Sequence, residues 1–209
     1  MIAVDDVLKT SLLDLHHELR DTNIPLILGG GYGLYLKQIH LQESEGQRTL
    51  LDGELWPAPR ATQDLDIHLK IEIIINHAAM KRIRNAIDRL GYLPGEARYM
   101  QFVKRDAGGR EAKIDLLTGP IPREYRSQVK VSKPRVRPKP PSHEREAPVE
   151  LHAYVTEEAI DIEENLLPLM VSGVLTSGQA YEGTVYIPQP FTYLMMKLFA
   201  FRDWKDDPD

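Results

Sequence analysis

The segment from Asp64 to Lys70 alternates strictly between polar and apolar side chains, and this alternation restricts the fold more than any other feature of the sequence. A period of two is typical of a β-strand with one buried face. The polar face of this predicted strand carries Asp64, Asp66 and His68. Two carboxylates therefore point to the same side, above a face that must be covered by a hydrophobic core.

Helical and strand periodicities alternate along the rest of the chain. The patterns predict helices over 4–19, 32–41, 79–90 and from Pro190 onward, and strands over 24–28, 99–105, 111–117, 150–155 and 184–187. This order predicts an α+β fold in which a small mixed β-sheet is flanked by helices.

The chain divides into three parts by composition. Residues 1–120 are predicted to form the core, 121–149 a basic, proline-rich loop, and 150–209 the strands and helix that complete the domain. The net charge is −5, yet residues 123–145 carry eight lysines and arginines against two glutamates. This loop is either a solvated connector or a contact for phosphate groups.

Composition excludes several classes of protein. The absence of cysteine rules out disulfide scaffolds, thiol catalysis and cysteine-ligated metal centres. No apolar run approaches the roughly 20 residues that span a bilayer. The acidic start lacks the features of a signal peptide, so we expect a cytoplasmic protein that does not enter a membrane.

A run of glycines, Gly29 to Gly31 followed by Gly33, separates the first predicted strand from the helix after it. One interpretation is a tight connection that uses the conformational freedom of glycine. The other is a phosphate cradle, in which backbone amides at a helix N-terminus bind an anion.

Three carboxylates are candidate metal ligands. Asp64 and Asp66 are either the solvated face of an edge strand or a pair that binds Mg²⁺, because two like charges this close repel without a cation. Asp115 lies two residues after Lys113 and is either its ion-pair partner or a third ligand, if its strand neighbours that of Asp64. His68 shares the face, but we interpret it as a solvated or hydrogen-bonded histidine.

Together, the order GG-x-G, R-x-T-x-D-x-D and then D-L-L, followed by a K-L-x-A-x-R-D helix, resembles the nucleotidyltransferase superfamily of the DNA polymerase β type, and within it the AbiEii-like toxins. The resemblance covers roughly residues 24–117 and 184–207. It implies that Gly30, Gly31 and Gly33 hold the nucleotide phosphates, with glycine where many relatives have serine. The interval from Gly33 to Asp64 is longer than is usual in the superfamily.

The resemblance further implies that Asp64, Asp66 and Asp115 are catalytic carboxylates that bind Mg²⁺ or Mn²⁺, and that Lys197 approaches the triphosphate. The implied activity is transfer of a nucleoside monophosphate from an NTP to an acceptor hydroxyl on RNA such as tRNA, on a protein or on a small molecule. An antitoxin protein is an implied partner, as in toxin–antitoxin or phage-defence systems. The alternative is a catalytically inactive binding module with the same fold.

Overall fold

The computed structural model describes residues 4–43, 62, 64–106, 108–139 and 149–206. Most of the long interval between Gly33 and Asp64 lies outside these ranges. The described helices are α1 (Val4–Leu19), α2 (Gly30–Glu43), α3 (Ile71–Ile75), α4 (His77–Arg89) and α5 (Pro190–Asp206). The strands are β1 (Ile27–Leu28), β2 (Asp64–His68), β3 (Leu93–Pro94), β4 (Gln101–Arg105), β5 (Glu111–Thr118), β6 (Val129–Ser132), β7 (Arg135–Pro138), β8 (Ala153–Val155), β9 (Leu167–Val174) and β10 (Ala180–Ile187).

All of these strands belong to one mixed sheet, in the order β6-β7-β8-β5-β2-β1-β10-β9. The β4 strand pairs with β5 beside β8, and β3 pairs with β4. The β2–β5, β5–β8 and β1–β10 pairs are parallel, whereas the other pairs are antiparallel. The predicted α+β class with a mixed sheet is confirmed, although with ten strands the sheet is larger than the small one expected.

Alternation along the central strands divides the sheet into two faces. The first, which we call the core face, carries Leu65 and Ile67 of β2 and Ile114 and Leu116 of β5, all fully buried. The core that they form with leucines of α1 and isoleucines of α4 anchors the two strands. The second, which we call the carboxylate face, carries Asp64 and Asp66 of β2 and Asp115 of β5.

Part of the predicted loop over 121–149 is a β-hairpin, so the prediction was wrong for residues 129–138. In this hairpin, Val129 and Val136 are buried while Lys130 and Arg135 point to the other face. The alternation is short and the polar positions are all basic or hydroxylated, which is why composition suggested an exposed loop. Residues 140–148 of the predicted loop lie outside the described residues.

The C-terminal part of the chain enters the same sheet. The predicted strand at 184–187 is the end of the longer β10, whereas β9 was not anticipated. Parallel pairing sets Ile27 of β1 opposite Tyr186 of β10, and α5 begins at Pro190 as expected. None of the described helices has both the length and the apolar character needed to cross a membrane.

Candidate functional site

The three candidate carboxylates meet because β2 and β5 are parallel neighbours in one particular register. Asp66 lies directly opposite Asp115, and Asp64 lies opposite Lys113. Directly paired residues of parallel strands project from the same face of a sheet. The conditional expectation for Asp115 is therefore met: its strand neighbours that of Asp64, and the three acids share the carboxylate face.

The electrostatics of Asp66 are those of a carboxylate crowded by others. Burial raises its pKa to about 6, and the nearby charges of Asp115 and Asp64 act in the same direction. The positive charge of Lys197 opposes this shift. Such a carboxyl group gains the most from a cation, because the cation would favour the charged form that burial and its neighbours disfavour.

Two polar side chains hold the neighbouring carboxylates in place. Gln101 Nε2 donates a hydrogen bond of 2.9 Å to Asp115 Oδ1, across the antiparallel β4–β5 pair. Burial raises the pKa of Asp115, and the hydrogen bond from Gln101 acts in the opposite direction. Lys113 Nζ lies 3.5 Å from Asp64 Oδ1, so Lys113 pairs with Asp64 rather than with Asp115. The sequence did not indicate the role of Gln101.

The glycine run lies directly against the carboxylate face. Gly29 N donates a 2.8 Å hydrogen bond to the backbone oxygen of Asp66. Gly30 begins α2 with φ +54°, and a Cβ on this residue would overlap the Asp66 carboxylate. The N-terminus of α2, with the positive end of its dipole, therefore lies beside the acids.

The helix α5 completes this side of the site. Tyr193 Oη donates a 2.8 Å hydrogen bond to the carbonyl oxygen of Leu28, the last residue before the glycine run. A Cβ on Gly33 would overlap that hydroxyl, which explains the glycine at this position. Lys197, one helical turn after Tyr193, is exposed and close enough to lower the pKa of Asp66. The structure thus brings together every glycine, carboxylate and lysine that the sequence selected; Tyr193 was missed.

The environment of His68 is not the solvated or hydrogen-bonded one expected from the sequence. The side chain is fully buried rather than solvated, and neither ring nitrogen has a hydrogen-bond partner among the described residues. Burial lowers its pKa to about 3, so the ring is neutral. Its Nε2 lies 2.5 Å from the position that a Cβ on Gly29 would occupy, so His68 fills the space beneath the glycine run.

The three carboxylates have the chemistry of a binding site for a hard cation, but they are not already arranged around a metal position. Asp64, Asp66 and Asp115 offer only oxygen ligands, which Mg²⁺ and Mn²⁺ prefer. Asp64 Oδ1 is a buried atom whose partner among the described residues is the ammonium group of Lys113, 3.5 Å away. Within the described ranges, however, no three acidic or histidine side chains already converge closely enough to enclose a metal ion.

Comparison with known proteins adds no relative: no family model, curated protein or solved structure matches this chain.

Proposed function

We propose that the protein is a divalent-metal-dependent nucleotidyltransferase of the DNA polymerase β type, which moves a nucleoside monophosphate from an NTP to an acceptor hydroxyl. The α–β phosphoanhydride bond breaks as the new phosphate ester forms, so pyrophosphate leaves and the hydroxyl loses its proton. The observation that carries the proposal is the β2–β5 register, which aligns Asp66 with Asp115 and puts Asp64 on the same face. This triad lies at the N-terminus of α2, beside the glycine run. An ion-paired surface strand would not require that combination.

In this proposal Asp64, Asp66 and Asp115 hold Mg²⁺ or Mn²⁺. When bound, such ions neutralise the triphosphate and lower the pKa of the acceptor hydroxyl. The protein's own part is mainly to position these ligands. Gln101 fixes the orientation of Asp115, and the core beneath Leu65 and Ile114 fixes the spacing of the strands that carry the acids.

The nucleotide phosphates are bound at the other side of the site. Amides of Gly30 and Gly31 at the start of α2 donate to the phosphate oxygens, with Gly33 allowing the close approach of α5. The ammonium group of Lys197 supplies a positive charge from that helix. Asp66 then lies between the phosphate cradle and Asp115, where the acceptor hydroxyl would be deprotonated.

Thr62 replaces the hydroxyl that many members of the superfamily supply from a serine. A Cβ on Gly31 would lie 3.3 Å from the Thr62 Cβ and 3.5 Å from its Oγ1. The threonine hydroxyl thus occupies the space next to Gly31 in which a serine side chain would extend. It also accepts a hydrogen bond of 3.4 Å from the backbone of Asp64, so it connects the cradle to the carboxylates.

The direct test uses each α-³²P-labelled nucleoside triphosphate with Mg²⁺ or Mn²⁺ and total tRNA, followed by RNA and protein gels. We expect label on RNA or protein with the natural protein and none with Asp66→Asn. The matched control is Asp88→Asn, which removes a carboxylate from the exposed face of α4, where it pairs with Arg84. Transfer that persists in Asp66→Asn would contradict the assignment.

A specific observation favours a second candidate, a nucleotide-binding module without catalysis. Asp64 and Asp115 already have protein partners in Lys113 and Gln101, so the acids can be accommodated without a cation. This candidate predicts metal-dependent binding of an NTP with no turnover for any acceptor. Equilibrium binding of a fluorescent NTP, measured beside the transfer assay, distinguishes the two.

We also propose that the activity is that of a toxin, held in check by an antitoxin protein. Induced expression of the natural protein should then arrest growth of a bacterial host, whereas the Asp66→Asn variant should be tolerated. Equal growth with both proteins, at equal soluble levels, would contradict the toxin role without touching the chemistry.

A further inference from the structure

The carboxylate face continues beyond the three acids onto strands that the resemblance does not cover. On the side of β5 away from β2, Leu117 pairs with Tyr154 of β8, two residues after Asp115. Tyr154 in turn pairs with Arg135 of β7. Since paired residues share a face, Tyr154 and Arg135 project on the same side of the sheet as Asp115.

The hairpin extends this surface by further basic residues. Arg137 follows Arg135 on the same face of β7, and it pairs with Lys130 of β6. None of the salt bridges within the described ranges involves Lys130, Arg135 or Arg137. Three cationic side chains thus lie together on a protein whose net charge is −5.

Aromatic rings border these cations. His152 lies two residues before Tyr154; burial lowers its pKa, and the positive charges of Arg137 and Arg135 act in the same direction. The ring centroids of His152 and Tyr99 are 5.0 Å apart. Tyr154 is 43% exposed and lines a cavity of about 700 Å³ together with Arg126 and Lys133 and with two acids, Glu157 and Glu158, of which Glu157 pairs with Lys133. We call Lys130, Arg135, Arg137, His152 and Tyr154 the basic-aromatic strip.

We propose that the basic-aromatic strip binds a single-stranded RNA and leads its terminal hydroxyl to Asp115. Cations that follow a backbone, with exposed rings on which bases stack, are the usual means of binding single strands. An acidic peptide would satisfy the charges but would leave the rings and the cavity beside Tyr154 without a role. Arg135 is two strand spacings from β5, about 10 Å, a gap that the last nucleotides could bridge.

The binding part of this inference is independent of the proposed function, whereas the delivery of the hydroxyl rests on it. Binding can therefore be measured without NTP, by the fluorescence anisotropy of a labelled single-stranded RNA of about 12 nucleotides, a length within the known range of site sizes. The test variant carries both Arg135→Gln and Arg137→Gln. The matched control is Lys81→Gln with Arg82→Gln, two exposed residues of α4 that remove the same charge from elsewhere on the protein.

We expect the Arg135/Arg137 variant to lose about tenfold or more in affinity at low salt. The slope of log affinity against log salt concentration should become less steep by about 1.4 in this variant, because two phosphate contacts with a single strand are lost. The Lys81/Arg82 control should bind like the natural protein. Lys130→Gln, an exposed single change that leaves the fold intact, should weaken binding severalfold, and Tyr154→Ala by about fivefold or more.

Four results would overturn the proposal. These are failure to bind RNA at about 50 mM salt, equal losses in the test and control pairs, equal affinity for polyglutamate, and a clear preference for DNA of the same sequence. The natural protein itself separates this proposal from the proposed function, because RNA binding is measured without NTP. If it binds RNA with the losses expected of the variants but transfers no label, the strip is supported and the enzyme is not.

Discussion

Asp66 is held in an environment that disfavours its charged form, and this has a consequence for stability. Its pKa of about 6 in the folded protein lies above its ordinary value of 3.8. A carboxyl group whose pKa is raised on folding stabilises the protein below its unfolded-state pKa, and this stability is lost as the pH rises through the folded-state pKa. The natural residue therefore weakens the metal-free fold at neutral pH.

Replacing Asp66 by asparagine should accordingly stabilise the metal-free protein while abolishing transfer. We expect the free energy of unfolding at pH 7.5 in EDTA to rise by about 1 to 3 kcal/mol, since each unit of pKa shift corresponds to about 1.4 kcal/mol. The gain should shrink as the pH falls through 6 and vanish only well below 3.8, where the Asp66 carboxyl is neutral in both the folded and the unfolded protein. Urea unfolding at several pH values measures this difference.

The control for this measurement is Asp88→Asn, which should show no such gain because Asp88 is paired with Arg84. A destabilised Asp66→Asn variant at pH 7.5 would mean that the carboxylate is held by favourable contacts rather than crowded by its neighbours.

Thr62 provides a second prediction at the level of a single side chain. If its hydroxyl serves the phosphate cradle beside Gly31, Thr62→Ala should raise the KM for the NTP about three- to tenfold, the effect of one lost hydrogen bond. Thr62→Ser should restore the natural value. Steady-state kinetics of both variants measure this, and an equal KM in natural protein and Thr62→Ala would exclude the hydroxyl from the cradle.

Strand alternation in the sequence was sufficient to put Asp64, Asp66 and Asp115 on polar faces, because side-chain direction in a strand follows from parity alone. It could not show the partners of these acids. Lys113 pairs with Asp64, and His68 is buried without a hydrogen-bond partner among the described residues. Both outcomes depend on which strand and which turn lie next to β2. Those neighbours are distant in sequence.

At the scale of elements, the junction between β1 and α2 depends on the lack of a side chain at Gly30. Gly30→Ala adds a Cβ at positive φ that also overlaps the Asp66 carboxylate. Gly91→Ala is a matched control, because Gly91 has φ +79° and no atom within 4 Å of its added Cβ. The Gly91→Ala control measures only the free-energy cost of a side chain at positive φ, about 1 kcal/mol.

We therefore expect Gly30→Ala to lower the free energy of unfolding by about 1 to 3 kcal/mol more than Gly91→Ala does, the usual cost of overpacking. Transfer activity should fall with it, since Asp66 must move. Equal losses in the two variants, measured by urea unfolding, would mean that the glycine run and Asp66 are not in contact.

Local patterns predicted α1, α4, the β4–β5 hairpin and the start of α5, all of which have clear periodicity or turn signals. They failed for β9 and for the β6–β7 hairpin. In β7, Val136 and Pro138 are buried and alternate with half-buried arginines, and in β6 only Val129 is buried, so each strand is too short to give a clear alternation. The pairing of β7 with β8, which joins the hairpin to the sheet, is contained in no local pattern.

For the whole molecule, a bound cation should act as a stabilising ligand. A ligand that binds only the folded state adds about 1.4 kcal/mol of stability at ten times its Kd. We expect Mg²⁺ or Mn²⁺ to raise the Tm of the natural protein by several degrees and that of Asp66→Asn by much less. Differential scanning fluorimetry with and without EDTA measures this, and the same rise in both proteins would indicate binding away from these acids.

The overall α+β class was predictable from the sequence, but the register that creates the candidate site was not. The pairing of Asp66 with Asp115 fixes one alignment among several that the apolar residues of β2 and β5 could accept. A shift by two residues would keep the core face buried but would set either Asp64 opposite Asp115 or Asp66 opposite Lys113. Register is thus set by the packing of the entire sheet.

The parallel pairing of β1 with β10 also determines the order in which parts of the site can form during translation. The three acids and the glycine run emerge from the ribosome early, whereas β10, Tyr193 and Lys197 are translated only after β9. A nascent chain that has reached β5 therefore has the acids but not the helix that closes the phosphate side. The side of the site formed by α5 therefore cannot assemble before β10 and α5 have been translated.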